Sequence, residues 1–382
     1  MEKITKPFEK PIYVTRPLLP KLSEINKKIK EIFESRWLTN FGKQHAELEK
    51  KLLKYLKCEN IQLFCNGTLA LELGCRALNL SGEVITTPFT FAATPHALLL
   101  NNISPVFCDI EQDSFNIDPD KIERLITPKT TAILAVHVFG NPCKVDEIEK
   151  IAKKHHLKVV YDAAHAFGVK INGVAIGNFG DISMFSFHAT KIFHTIEGGC
   201  LTFKDKNLNK RLRLLKNFGI LDEENVVVCG TNAKMNEIQA AIGLINLRLI
   251  DQEIKKRAAL TKLYRKELSK TPGIKTLRDK EDVKYNYSYF PILIDEEKYG
   301  LSRDKVYEKL KGFNIFTRKY FHPICSHFKC YRDRPSAKPN KLPVAEMVDK
   351  KILCLPIYGS LKPSEVKKIC KIIKEIKNGL DG

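Results

Sequence analysis

The chain has 382 residues, 64 Lys and Arg against 44 Asp and Glu, and a formal net charge of +20 at pH 7. It contains no apolar run near the roughly 18 residues that a membrane span needs, and Met1-Glu-Lys-Ile opens no apolar signal core, so a cytoplasmic protein without a membrane partner is expected. The excess charge is mostly Lys spread over helical stretches such as 367–377, with no nucleic-acid motif; no nucleic acid is expected, and a basic surface suits small phosphorylated substrates.

The length exceeds one ordinary core, which predicts a large domain plus a smaller one. Eleven scattered cysteines without a CxxC pair read as small buried hydrophobes of a reducing compartment. Cys325-Ser-His327-Phe-Lys-Cys330 invites a metal but lacks a second ligand pair at finger spacing, so none is expected.

An extended leader, Met1 to Arg16, precedes a helix predicted over 22–34, and Arg36-Trp37-Leu38-Thr39-Asn40-Phe41-Gly42 then breaks the pattern. This loop holds the one Trp of the chain and either lines a pocket or anchors two helices. A helix over 45–55 and a strand over 61–64 lead into Asn66-Gly67-Thr68. The turn opens a helix, as an anion site built on free backbone N–H groups or as an ordinary N-cap.

Strands at 84–87, 105–110, 131–138 and 157–161 then alternate with helices at 92–100, 119–125 and 145–155, the pattern of a mostly parallel sheet covered on both faces. Ligands of such sheets gather at the carboxyl ends of the strands, where Asn66-Gly67-Thr68, Phe89 to Phe91 and Asp162-Ala-Ala-His165 fall. A carboxylate at Asp162 either caps the following loop or needs a cationic partner such as a protonated ring nitrogen.

A buried strand over 181–187 runs directly into Ser186-Phe-His-Ala-Thr-Lys191. Lys191 is either one solvated lysine among many or an amine that has lost hydration and serves as a nucleophile. The pair Gly198-Gly199 allows backbone to lie close to a ligand before a strand over 200–203. After a basic helix (208–217) and a polar loop holding Asn232, one long helix over about 237–268 is predicted to leave the large domain. A smaller α+β pattern follows, with strand Tyr287 to Ile294, helix 303–312, the segment Arg318-Lys-Tyr320-Phe and a last helix over 363–376. Residues 1–250 and 251–382 are thus expected to form the two domains.

On Trp37-Leu-Thr, Asn66-Gly-Thr-Leu-Ala-Leu, Asp162-Ala-Ala-His-Ala-Phe-Gly, Ser186-Phe-His-Ala-Thr-Lys, Asn232-Ala-Lys-Met-Asn-Glu-Ile-Gln-Ala-Ala and Leu355-Pro-Ile-Tyr, the chain resembles the DegT family of nucleotide-sugar aminotransferases. The resemblance implies an α/β fold of the aspartate-aminotransferase type (fold type I) and the cofactor pyridoxal 5′-phosphate. By it, Lys191 is the Schiff-base lysine, Asp162 pairs with the pyridinium nitrogen, and His165 meets the ring 3-hydroxyl, where many relatives have Gln. Gly67, Thr68 and Ser186 hold the phosphate, Phe91 (alternatively Phe89) stacks on the ring, and Asn232 reaches the phosphate of the neighbouring subunit of a homodimer. Thr39, Arg318 and Tyr320 match positions near the sugar nucleotide. Ala233-Lys234 stands where many relatives have Tyr-Arg, which leaves the anion contacts of that loop open.

The implied reaction carries the amino group of L-glutamate to a nucleotide-linked keto-deoxyhexose. The motif forms look most like members that aminate C4 of dTDP-4-keto-6-deoxyglucose, with a C3-aminotransferase as the alternative. A sugar dehydratase of the same fold would have His in place of Lys191. A regulator of the same fold is the non-enzyme alternative, though no helix-turn-helix segment precedes the domain.

Overall fold

The computed structural model describes residues 5–377. Seven strands form the central sheet, in the spatial order 60–64, 199–203, 182–186, 158–162, 130–136, 83–86, 104–107. All neighbouring pairs are parallel except those of Gly199–Phe203, which runs antiparallel to both of its partners.

The strands are nearly continuous apolar runs because both faces are covered, and successive residues serve opposite faces. Val84, Leu134 and Val160 pack with Ala70, Leu71 and Leu73 of the helix Gly67–Ala77. Their neighbours Ile85, Ile133 and Val159 pack with Val145 and Ile148 of the helix Val145–Lys154 on the other side. With this alternation the carboxyl ends of the parallel strands share one edge of the sheet, and the loops that leave it carry the motifs named above.

A second core is built on the antiparallel strands Ile274–Thr276, Phe290–Ile294 and Ile352–Leu355, covered by the helices Ile250–Leu268, Arg303–Gly312 and Pro363–Lys377. The leader contributes to this core: Phe8 and Ile12 are buried in it, and Ile12–Tyr13 pairs in parallel with Ile315–Phe316. Residues 1–4 of the leader lie outside the described residues.

The long helix predicted over 237–268 is two helices, Glu237–Leu247 and Ile250–Leu268. The first is almost entirely buried, and its Asn246 donates from Nδ2 to the carbonyl of His194 (2.9 Å). The second begins a new run of Asp251 and Glu253 and turns its Leu260, Tyr264 and Leu268 into the second core. Two cores in different places cannot be served by one straight apolar stripe. The segment predicted as a helix at 119–125 is a pair of 3₁₀ turns, Pro119–Lys121 and Glu123–Leu125.

Candidate active site

Asp162 is the last residue of Lys158–Asp162, and Ser186 the last of Ile182–Ser186. Lys191 follows Ser186 in a loop whose backbone is tied by Lys191 N to His188 O (2.8 Å) and by Phe187 N to Gly198 O (2.8 Å). The strand period therefore fixes Asp162, while the turn fixes Lys191.

Asp162 is 5% exposed. Its Oδ2 accepts from Thr94 Oγ1 (2.7 Å) and its Oδ1 from Ala164 N (3.0 Å). Burial pushes its pKa up, and those two donors and the Lys191 ammonium oppose the shift. Burial lowers Lys191 to about 8, with the Asp162 carboxylate acting in the opposite sense. Lys191 Nζ lies 3.4 Å from Tyr289 Oη and 5.9 Å from the centroid of that ring.

His165 Nδ1 accepts from the amide of Phe139 (3.2 Å), so the ring proton of this tautomer resides on Nε2. Burial holds its pKa well below the usual histidine value, and Lys191 adds to that shift, so the ring is neutral. It lies parallel to Phe321 (5°, 5.7 Å) and edge-on to Tyr289 (4.8 Å). Its carbonyl accepts from Asn286 Nδ2 (2.8 Å) and Ser288 Oγ (3.0 Å), which fastens the approach to strand Phe290–Ile294 onto the site.

Gly67 begins the helix Gly67–Ala77, and the Asn66 side chain caps it by accepting from Leu69 N (2.8 Å). A Cβ added at Gly67 would stand 3.0 Å from Ser186 Cβ, so these two residues form one corner. A Cβ at Gly199 would come within 2.7 Å of Gly67 Cα. The glycine there is required by the backbone of the same corner. Thr68 is exposed at the corner's rim. Phe89 is committed to an apolar cluster with Phe139 and Phe321, whereas Phe91 is 61% exposed and free to present a ring face.

Tyr320 is half-buried, with its ring edge-on to Tyr289 (86°, 5.7 Å). Arg318 pairs by its backbone with Cys354, and its side chain is exposed. Thr39 and Asn232 are exposed too. Among the described residues, no hydrogen bond or ring contact joins the side chains of Thr39, Asn232 or Arg318 to the Lys191 group. Lys234, in the place of the relatives' Arg, donates to Asn217 Oδ1 (2.6 Å) and covers the Phe218 ring (5.0 Å), so its charge is engaged within the same chain.

Sequence reasoning missed Tyr289, Thr94 and Phe139. Thr94 lies on a helix face, and Phe139 sits in a turn with φ 58° that no local signal marks. Tyr289 ends the run Tyr285-Asn-Tyr287-Ser-Tyr289, whose alternation of rings and small polar residues was the available clue. Taken together, the group offers an amine with a lowered pKa, a buried carboxylate, a neutral imidazole N–H donor and a glycine corner at a helix start. These are the parts needed to hold an anionic aromatic aldehyde and move protons at carbon.

Comparisons with known proteins place the chain as a whole. The chain is 47% identical over 368 residues (96% of this chain, 98% of the relative) to the dTDP-4-amino-4,6-dideoxy-D-glucose transaminase of Escherichia coli, and 44% identical over 370 residues (97% and 100%) to the protein of the same name from Shigella dysenteriae. Among solved structures it superposes on DesI, determined in the presence of its TDP-sugar product, with a TM-score of 0.93 at 35% identity, covering 97% of this chain and 94% of that one. The aminotransferase PseC of Helicobacter pylori gives 0.90 at 29% identity, with 97% and 100% covered. The model of the DegT/DnrJ/EryC1/StrS aminotransferase family matches residues 21–374. By this match and by relatives covered over nearly their full length, the chain is an aminotransferase of the DegT/DnrJ/EryC1/StrS family.

Proposed function

We propose that this aminotransferase uses pyridoxal 5′-phosphate to carry the amino group of L-glutamate to C4 of dTDP-4-keto-6-deoxyglucose, giving dTDP-4-amino-4,6-dideoxyglucose. The observation that carries the reading is near full-length identity of 47% and 44% to two proteins named for that amino sugar.

The residues fit the cofactor. Asp162 is buried with two neutral donors and keeps acceptor capacity that a protonated ring nitrogen would satisfy. The Nε2–H of His165 suits a ring oxygen, and the exposed ring of Phe91 suits the flat face. The corner of Gly67, Thr68 and Ser186 at a helix start suits a phosphate. When bound, the cofactor supplies an electron sink for the carbon that is deprotonated.

With the cofactor present, Lys191 Nζ would hold its aldehyde, and as a free amine it would take the α-proton of glutamate and supply one to the sugar carbon. Its lowered pKa leaves a neutral fraction able to do so near neutral pH. Tyr289 Oη steadies the freed amine. The choice of C4 over C3 depends on which carbon the nucleotide anchor places near the amine, with Thr39, Arg318 and Tyr320 as parts of that anchor.

A homodimer with shared sites completes the reading. Asn232 stands at the base of an arm, paired to Asn217, whose Phe218, Ile220, Val226 and Val227 are exposed. Such an apolar arm suits a second copy, to whose phosphate corner Asn232 would reach.

The test supplies dTDP-4-keto-6-deoxyglucose and its 3-keto isomer separately with glutamate and reads the product by mass and NMR. An amine at C4 is expected. Turnover of the 3-keto sugar alone would overturn the C4 assignment, and no amine in either arm would defeat the substrate class.

A further inference from the structure

Behind the phosphate corner lies a second lysine that the chemistry above does not use. Lys216 caps the helix Asn207–Leu215, is fully buried, and donates from Nζ to the carbonyl of Leu63 (2.9 Å). The amine sits between two rings, 5.1 Å from the centroid of Phe41 and 5.3 Å from that of Phe64. Phe41 also lies under the Arg213 guanidinium (4.8 Å) and meets His45 edge-on (89°, 5.4 Å).

Each contact leads to a different part of the site. Leu63 and Phe64 end the strand that delivers Asn66-Gly67-Thr68. Phe41 closes the loop that carries Thr39. On the backbone side, Lys216 O accepts from Ala233 N (3.0 Å) and Ala233 O accepts from Cys65 N (2.9 Å), so the residue next to Asn232 is laced into the same knot.

A lysine here is costly. Burial pushes its pKa down to about 7, Arg213 and Lys234 push the same way, and only the Glu49 carboxylate opposes them. His45, also packed there, is held at about 3 by burial, Lys216 and Arg213, and stays neutral. An apolar side chain would fill the space at less cost. A lysine adds a donor for a strand-end carbonyl and a cation between rings. The loop needs such a contact: Asn40 and Phe41 both have positive φ (61° and 63°), a conformation that a bulky residue keeps only when its surroundings enforce it.

We propose that Lys216 is a positioning residue that holds the Thr39 loop and the Gly67 corner in one register from behind the site. Its functional half rests on the reading that the corner takes a phosphate and the loop meets the sugar. The structural half does not, because Trp37 in that loop is the one tryptophan of the chain. Its fluorescence reports the loop without cofactor or sugar.

The experiment compares wild type, Lys216→Met, Lys216→Arg and Phe41→Leu. Trp37 anisotropy in the cofactor-free protein should fall in Lys216→Met and Phe41→Leu and recover in Lys216→Arg. Cofactor affinity by equilibrium dialysis should weaken about 10-fold or more in Lys216→Met, the scale of a charge-assisted hydrogen bond. Phe41→Leu should raise the sugar KM and leave cofactor affinity alone. Unchanged Trp37 anisotropy in folded Lys216→Met, or a Phe41→Leu variant that loses cofactor affinity as much as it gains in KM, would overturn the inference. If Lys216→Met does not fold, the Phe41→Leu anisotropy and its KM split decide. Lowered anisotropy together with a wild type that ignores the sugar would support the positioning role and condemn the substrate assignment alone.

Discussion

Burial acts on both Lys191 and Lys216, and what surrounds each amine differs. Burial lowers Lys191 to about 8 and Lys216 to about 7. Lys191 remains partly exposed at the carboxyl edge of the sheet, its amine near one phenol hydroxyl and acted on by the buried Asp162. Lys216 is sealed, its amine committed to a backbone carbonyl and two aromatic faces. Desolvation makes an amine easier to deprotonate, but reach and a neighbouring acid–base partner decide whether that matters chemically. A low pKa alone does not tell the two residues apart.

The largest expected effect breaks the reactive side of this comparison. Lys191→Ala should lower turnover by about 10⁴-fold or more, the upper range of a positioned acid–base group. Borohydride reduction of the loaded wild type, followed by peptide mapping, should find the cofactor on the peptide that holds Lys191. Attachment at Lys216 would reverse the two assignments.

Asp162→Asn should keep the cofactor while slowing the half-reaction with glutamate by about 10²–10³-fold, the usual cost of removing one preorganised electrostatic contact. Stopped-flow absorbance checks it, and an unchanged rate would mean that the carboxylate is only a loop cap for Ala164. Tyr289→Phe is expected to be milder. Losing one hydrogen bond to the amine, worth about 1 kcal/mol, should cut kcat about fivefold with the sugar KM unchanged. A rise in KM alone would move Tyr289 from Lys191 to the nucleotide anchor through its contact with Tyr320.

The smallest effects are in pH. Acylation of Lys191 in the cofactor-free protein should rise as pH passes about 8, well below the ordinary lysine value of 10.5. For Lys216 the linkage runs through stability. The unfolded chain keeps this proton up to about 10.5 and the folded chain only up to about 7, so the unfolded state binds more protons between them. The Lys216 penalty is therefore complete below pH 7 and fades as pH rises toward 10.5. Urea unfolding at pH 7 and pH 9 should show a smaller gain with pH in Lys216→Met than in wild type.

Much of the site could be read from the sequence because it is built from strand ends. Apolar runs alternating with helices place Asp162, Ser186 and Gly67 at one edge by the geometry of a parallel sheet, and the short turn after Ser186 carries Lys191 to the same edge. The partners that tune these residues could not be read this way. Thr94 reaches Asp162 from a different strand-to-helix connection, and Tyr289 comes from the segment just before the strand Phe290–Ile294, 98 residues beyond Lys191. Lys216 is one of several basic residues in the predicted helix 208–217, and nothing in the local sequence marks it as the one that packs against Phe41.

What the sequence determined by itself was the covalent order of local signals: strand period, helix start, glycine corner and the residues at strand ends. Local sterics and hydrophobic pattern act over a few residues, so they are written in the chain itself. Only the tertiary structure decided that Gly199 lies against the backbone of Gly67, that Phe91 rather than Phe89 is free, and that the helix divides at Arg248–Leu249. Those outcomes depend on which surfaces meet after the chain has folded back on itself. So do burial and the loss of hydration that set Lys191 and Lys216 apart, for the same residue type has no lowered pKa until distant segments close around it.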